Sequence, residues 1–247
     1  MRNPRDFTKP LCLGAPKPPN DIPPRPSRMI HFFDPSNPRM ASKIPDIVRK
    51  VDVLLANLED AIEATNKLAA REGLIKIGRQ TVFGDTQFWT RINSLDSPWA
   101  LDDILRIVPE VGDKLDVIMI PKVEGAWDIH YVDRLLAQLE AKAHLPRAIQ
   151  LHAILETALG VANVEEIMAA SPRMQGVSLG PAGTAQIASA MDVGGAASDD
   201  GGTSRSWKSN PNETMPMPPS LTLTFGHFAS SLMSLRQPAR ISCRRPR

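Results

Sequence analysis

The 247-residue sequence predicts an α/β fold: an incomplete TIM-type (β/α)8 barrel of about six strand–helix units, followed by an irregular C-terminal tail. Three observations predict it. Short apolar runs alternate with segments of 3.6-residue periodicity, which implies parallel pairing with right-handed crossovers. Six such units suit either a doubly wound sheet or a barrel, but no G-x-G-x-x-G follows the first run, which removes the main signal of a dinucleotide-binding sheet. Polar or charged residues follow most of the runs, where a barrel carries its active site.

Three zones are visible in order. Residues 1–26 contain Pro16, Pro18, Pro19, Pro23, Pro24 and Pro26. Proline fixes φ and lacks a backbone donor, so this zone reads as an extended arm packed on a domain or a neighbouring subunit. Residues 27–182 carry the barrel units. Strands are expected at Met29–Phe33, Val51–Leu55, Gln87–Ile92, Leu115–Ile120, Ile149–Leu155 and Met174–Leu179. Helices are expected over Met40–Val48, Ala64–Ile77, Leu101–Val108, Trp127–Ala143 and Ala162–Ala170. Within Trp127–Ala143, the residues Ile129, Val132, Leu135, Leu136 and Leu139 follow the spacing of a one-sided helix. Leu115–Ile120 is nearly all apolar, as a strand covered on both faces should be.

Residues 183–247 read differently. A Gly/Ser-rich run over 194–204 is linker-like, prolines crowd in at 211, 216, 218 and 219, and one apolar stretch, Leu221–Leu235, precedes an arginine-rich end. No seventh or eighth unit can be found here.

The totals exclude several classes. A net charge of +2, with basic residues clustered only at Arg240, Arg244, Arg245 and Arg247, gives no nucleic-acid footprint. Cys12 and Cys243 build neither a disulfide framework nor a zinc site, so a reducing, cytoplasmic setting is expected. No signal-peptide core and no run of membrane-spanning length is present, so no membrane partner is expected.

Four polar clusters fall past strand ends: Leu58-Glu59-Asp60, Arg91 to Trp99, Pro121-Lys122-Val123-Glu124, and Leu155-Glu156-Thr157. Carboxylates and an arginine converging on a barrel mouth suit a hard divalent cation such as Mg²⁺. Simpler readings stand beside this. Glu59-Asp60 could be a solvated strand end, Arg91 could pair with Asp96, and Glu156 could be a helix N-terminal acid. Lys122 reads as structural or phosphate-facing and is left out of the catalytic set. His31, His130 and His152 read as core or rim residues, and Trp99 and Trp127 as packing residues at barrel–helix junctions.

The runs Asp34-Pro35-Ser36-Asn37-Pro38-Arg39-Met40, Asn57-Leu58-Glu59-Asp60, Thr90-Arg91-Ile92-Asn93-Ser94-Leu95-Asp96, Met119-Ile120-Pro121-Lys122-Val123-Glu124 and Ile154-Leu155-Glu156-Thr157-Ala158-Leu159-Gly160 occur in register. Together, over roughly residues 28–182, they resemble the HpcH/HpaI aldolase and citrate lyase β-subunit family, within it the CoA-ester lyases similar to malyl-CoA lyase. The resemblance implies a Mg²⁺-dependent carbon–carbon lyase acting on a β-hydroxyacyl-CoA, assembled as a homo-oligomer, trimer or hexamer. It implies Arg91 as the group on the carbonyl or thioester oxygen, with Arg39 also on substrate. Glu156 is implied as a metal ligand, and Glu59 and Asp60 as orienting acids of the catalytic set. The second metal ligand of the family pattern is an aspartate after Gly-Pro-Ala. Here Gly180-Pro181-Ala182 is followed by Gly183, which has no side chain to coordinate with. The similarity ends there abruptly. A frameshift near codon 183 is the expectation, with impaired lyase activity in this chain. The alternative is a truncated or pseudo-enzyme subunit with an assembly role.

Overall fold

A computed structural model describes residues 11–17, 19, 22 and 25–180. The tail from Gly183 onward, Cys243 and the terminal arginines lie outside the described residues.

The strands are β1 (Ile30–Phe33), β2 (Val53–Asn57), β3 (Gln87–Arg91), β4 (Val117–Ile120), β5 (Gln150–Leu155) and β6 (Met174–Leu179). All pair in parallel, in the sequential order β1-β2-β3-β4-β5-β6. Each connection steps to the next strand in the same direction. A sheet wound this way is an arc of a barrel, because a doubly wound sheet reverses its order at a switch point. Among the described residues the arc is open, with β1 and β6 at its edges.

The helices are α1 (Pro38–Ala41), α2 (Ile44–Ile47), α3 (Lys67–Gln80), α4 (Ala100–Val111), α5 (Ala126–Lys142), α6 (Ala158–Ala162) and α7 (Val164–Ala169). Strand alternation divides the apolar residues between two faces. Leu54, Phe88, Ile118, Leu151, Ala153 and Val177 face outward into a core shared with Leu74, Ile104, Ile107, Val132 and Leu136 of the helices. Val53, Leu55, Trp89, Val117, Met119 and Ile154 form a second cluster on the concave face. Each fully buried Leu, Ile or Phe of this kind contributes roughly 1.5–3 kcal/mol.

The expected strands appear within two residues, whereas one expected helix divides and another is preceded by a short extra one. Met40–Val48 becomes α1 and α2, because Pro38 and Pro45 each sit in a first turn, where a missing N–H costs nothing. Ala162–Ala170 corresponds to α7, and the short α6 precedes it, separated at Asn163, whose amide donates to the Glu124 carbonyl at 2.8 Å. Trp127 does not pack at a junction as expected: it is 55% exposed and lies over Gly125.

Residues 25–28 run past the N-terminal strand ends. Arg25 pairs with Asp116 at 2.8 Å, and the Gln87 amide donates to the Pro26 carbonyl at 2.9 Å. Arg25, Lys114 and Arg147 also line a cavity of about 320 Å³ there. Its cations are occupied by Asp116 and by the Gly78 and Arg79 carbonyls, and it opens at the end of the sheet away from the strand C-termini, so it is not the candidate site. On the far side, buried Arg173 ties β6 to α5 through Asp133 at 2.5 Å and Glu140 at 2.6 Å.

Candidate active site at the strand C-termini

The inward-facing set of each strand continues past the strand end and becomes polar. After Val53 and Leu55 come Asn57 and Glu59; after Trp89 comes Arg91; after Ile154 comes Glu156. Side-chain alternation alone therefore delivers these groups to one mouth. Parallel register then sets them side by side, since Asn57 is the direct partner of Arg91.

Arg91 Nη2 lies 2.8 Å from Glu59 Oε2, and Arg91 Nε donates to Asn57 Oδ1 at 2.9 Å. The same Asn57 oxygen accepts from the Glu59 backbone N–H at 3.0 Å, so one amide orients both members of the pair. Arg91 pairs with Glu59 and not with Asp96. Lys122 Nζ approaches Glu59 Oε1 at 3.0 Å and Asp60 Oδ1 at 3.4 Å. The contact with Glu59 holds the Lys122 ammonium above its usual range. Glu59 is buried, and its two oxygens meet one cation each, yet neither contact has the angles of a full hydrogen bond. It is an ion-paired acid with acceptor capacity left.

A buried lysine supports this arrangement from the helix side. Lys67 Nζ donates to the Leu58 and Glu59 carbonyls at 2.7 and 3.1 Å and to Asn93 Oδ1 at 2.5 Å. Asn93 in turn donates to Asp103, which Arg71 holds at 2.9 Å. The Lys67 ammonium also sits 5.2 Å from the centre of the Trp99 ring. One cation thereby fixes the loop of Glu59 against the loop that follows Arg91.

Glu156 differs from the other acids. It makes no ion pair among the described residues, and its pKa is raised first by burial and then by the charge of Glu59. It sits against Gly180, where a Cβ would come within 2.5 Å of Glu156 Cγ, so position 180 leaves the space that Glu156 fills. The charges of Arg91 and Lys122 offset the raised pKa only in part. A partly desolvated carboxylate beside a second acid favours a hard cation, whose charge would restore the ionised form. The fit is that of a single-carboxylate attachment. No group of three or more His, Cys, Asp or Glu with metal-site geometry occurs among the described residues.

Of the expected site residues, Arg91, Glu59 and Asp60 come together, and Glu156 shares their mouth. Arg39 does not join them: it is exposed on α1, and no hydrogen bond or ion pair ties its side chain to the cluster. Sequence reasoning missed Asn57 and Lys67, and it named Lys122 but left it out of the catalytic set. Asn57 was legible, being two residues before Glu59 on the same strand face. His152 is a core residue, as expected. The Gln175 amide nitrogen donates to its Nδ1 at 2.6 Å, so Nε2 carries the hydrogen facing Ser178 Oγ at 2.6 Å. A histidine in that form cannot take a proton from the serine, so the pair is no nucleophilic dyad.

Comparison with known proteins decides the family. The model of the HpcH/HpaI aldolase/citrate lyase family matches residues 28–190. The chain belongs to this family. It is 56% identical over 177 residues to a malyl-CoA/beta-methylmalyl-CoA/citramalyl-CoA lyase of Chloroflexus aurantiacus, covering 72% of this chain and 51% of that one. It is 37% identical over 163 residues to an L-malyl-CoA/beta-methylmalyl-CoA lyase of Rhodobacter capsulatus, covering 65% and 51%. The chain thus spans about half the length of the curated relatives it matches. Among solved structures, malate synthase of Haloferax volcanii superposes with a TM-score of 0.54 at 16% identity, over 64% of this chain and 52% of that one, a likeness of fold alone.

Proposed function

We propose that this family member carries the framework of a Mg²⁺-dependent carbon–carbon lyase that cleaves a β-hydroxyacyl-CoA such as malyl-CoA or citramalyl-CoA into an acyl-CoA and a 2-oxo acid. The observation that carries this reading is the Arg91–Glu59 pair, 2.8 Å apart, in the mouth it shares with the unpaired Glu156. The identity to lyases of that substrate class supports it.

Cleavage breaks the bond between the carbon alpha to the thioester and the carbinol carbon. The carbinol hydroxyl gives up its proton to a base or water as its C=O forms, and the electron pair of the broken bond departs as a thioester enolate. That enolate carbon then takes up a proton to give the acyl-CoA. The charge growing on the enolate needs a fixed cation beside the oxygen. Arg91, its planar head locked by Asn57 and Glu59, meets that need without reorganising. Glu59 holds Arg91 and Lys122 together, and Asp60, exposed at the rim, contacts Lys122. Glu156 would hold Mg²⁺, which when bound supplies Lewis-acid polarisation of a carbonyl.

The reading includes a cytoplasmic location and a homo-oligomeric state, trimer or hexamer, which the family resemblance supports. Among the described residues no helix is long and apolar enough to cross a membrane. Light scattering on the purified chain measures the oligomer directly.

Gly183, which lies outside the described residues, favours a second reading: a non-catalytic subunit retained for assembly. Malyl-CoA and Mg²⁺ incubated with the parent chain and with Gly183→Asp separate the two. Mg²⁺-dependent release of a 2-oxo acid by either protein supports the lyase framework. Binding of malyl-CoA without turnover in both favours the assembly role, and absence of binding in both counts against the lyase framework.

A further inference from the structure

We propose that Lys122 is a substrate-binding residue of this mouth, its ammonium taking the carboxylate of the small 2-oxo acid half of the substrate. The ligand's identity rests on the lyase reading; the cationic contact rests on the geometry.

Alternation would point Lys122 with Ile118 and Ile120 toward the helices, since Val117 and Met119 are the inward residues of β4. The backbone instead turns at φ 53°, a left-handed conformation that glycine or asparagine adopts at lower cost. That turn brings the ammonium across the end of β3 to Glu59 and Asp60, from a strand that is not their neighbour. Lys122 is the second cation on Glu59 and not its sole partner. Arg91 already holds that carboxylate at 2.8 Å, and Asp60, 66% exposed, is solvated. The Lys122 charge is shared between buried Glu59 and the rim acid Asp60, with Glu156 close enough to feel it, and is not locked in one buried pair. Its side chain is 40% exposed, and two of its three N–H groups face Glu59 and Asp60, which leaves one for a ligand. Arg91 lies on the opposite oxygen of Glu59, so the two cations flank one buried acid and converge on whatever anion enters above it.

The test uses the full chain and pyruvate, titrated with and without Mg²⁺ and followed by calorimetry and NMR. The parent binds pyruvate. Lys122→Gly, which suits the left-handed backbone and keeps the fold, weakens that binding about tenfold or more, as loss of a charge-assisted contact should. Lys122→Arg retains most of it. Equal binding by Lys122→Gly and the parent would overturn the inference, as would a parent chain that binds no pyruvate under either condition. If malyl-CoA is neither bound nor cleaved while pyruvate binding still depends on Lys122, the lyase reading fails and the anion site stands.

Discussion

Arg91 and Glu59 form a 2.8 Å ion pair across the ends of two adjacent parallel strands, with the carboxylate buried and the guanidinium largely so. Such a pair needs excellent geometry and further partners, because removing two charges from water is expensive. Asn57 supplies the partner for Arg91 Nε, and Lys122 supplies a second cation for Glu59. The pair therefore stands at the functional end of the sheet as a preorganised cation.

Arg91→Met is expected to destabilise the fold by about 3 kcal/mol, the lower end for breaking a buried pair, because Lys122 still faces Glu59. Urea unfolding measures it. The double variant Arg91→Met with Glu59→Gln recovers part of the loss, since no buried charge is left uncompensated. A double variant less stable than the single one would show that Glu59 has a role beyond holding Arg91.

Arg173 has a larger stake. Its guanidinium is buried and meets both Asp133 and Glu140, themselves buried on α5. Arg173→Met strands two carboxylates, and a loss of about 3–5 kcal/mol is expected. Both acids face the residues just before β5 and β6, at the end of the sheet opposite the mouth, so the affinity of the folded protein for pyruvate should not change. A shift in that affinity at a denaturant-free concentration would contradict the separation of core from site.

The strands were legible because apolar runs bounded by turn residues leave few alternatives, and β4, Val117–Ile120, is buried on both faces as its composition demanded. The candidate acids and Arg91 were legible as residues just past strand ends. What sequence could not give was orientation. Lys122 reads as outward by alternation, and only the positive φ after Pro121 reverses it. Nothing in the sequence marks Lys67, at the start of a helix, as buried, yet carbonyl oxygens of Leu58 and Glu59, contributed by another loop, draw it inside. Trp127 reads as a packing residue at a barrel–helix junction, but helix α5 buries Ile129, Val132 and Leu136 and leaves the indole 55% exposed.

Burial lowers the His152 pKa to about 3 in the folded chain, against about 6.5 in the unfolded one. Between those values the unfolded state binds the extra proton, so stability is fully present above the unfolded pKa and is lost as pH falls. The slope approaches about 1.4 kcal/mol per pH unit once pH is well below about 6.5. Urea midpoints measured from about pH 7 down to about pH 5 should fall accordingly, and His152→Gln should flatten the trend. Glu156, whose folded pKa is raised, acts in the opposite direction nearer its own range, which confines the test to the upper part of the acid limb. A parent chain with constant stability across that window would show that His152 is reached by solvent.

Metal affinity separates the two readings of the site. Of the acids Glu59, Asp60 and Glu156, Glu156 is the one without an ion pair among the described residues, and the family pattern asks for a second carboxylate at the position of Gly183. The parent chain is therefore expected to bind Mn²⁺, a paramagnetic stand-in for Mg²⁺, only weakly. Glu156→Gln should abolish that binding, and Gly183→Asp should strengthen it by roughly 10–100-fold or more, the range that even an outer partner of a metal ligand commands. Water-proton relaxation enhancement reads the affinity without any turnover. If Glu156→Gln leaves binding unchanged, the cation sits elsewhere. If Gly183→Asp leaves it unchanged, position 183 does not reach the mouth, and the deficit of this chain lies beyond a single missing ligand.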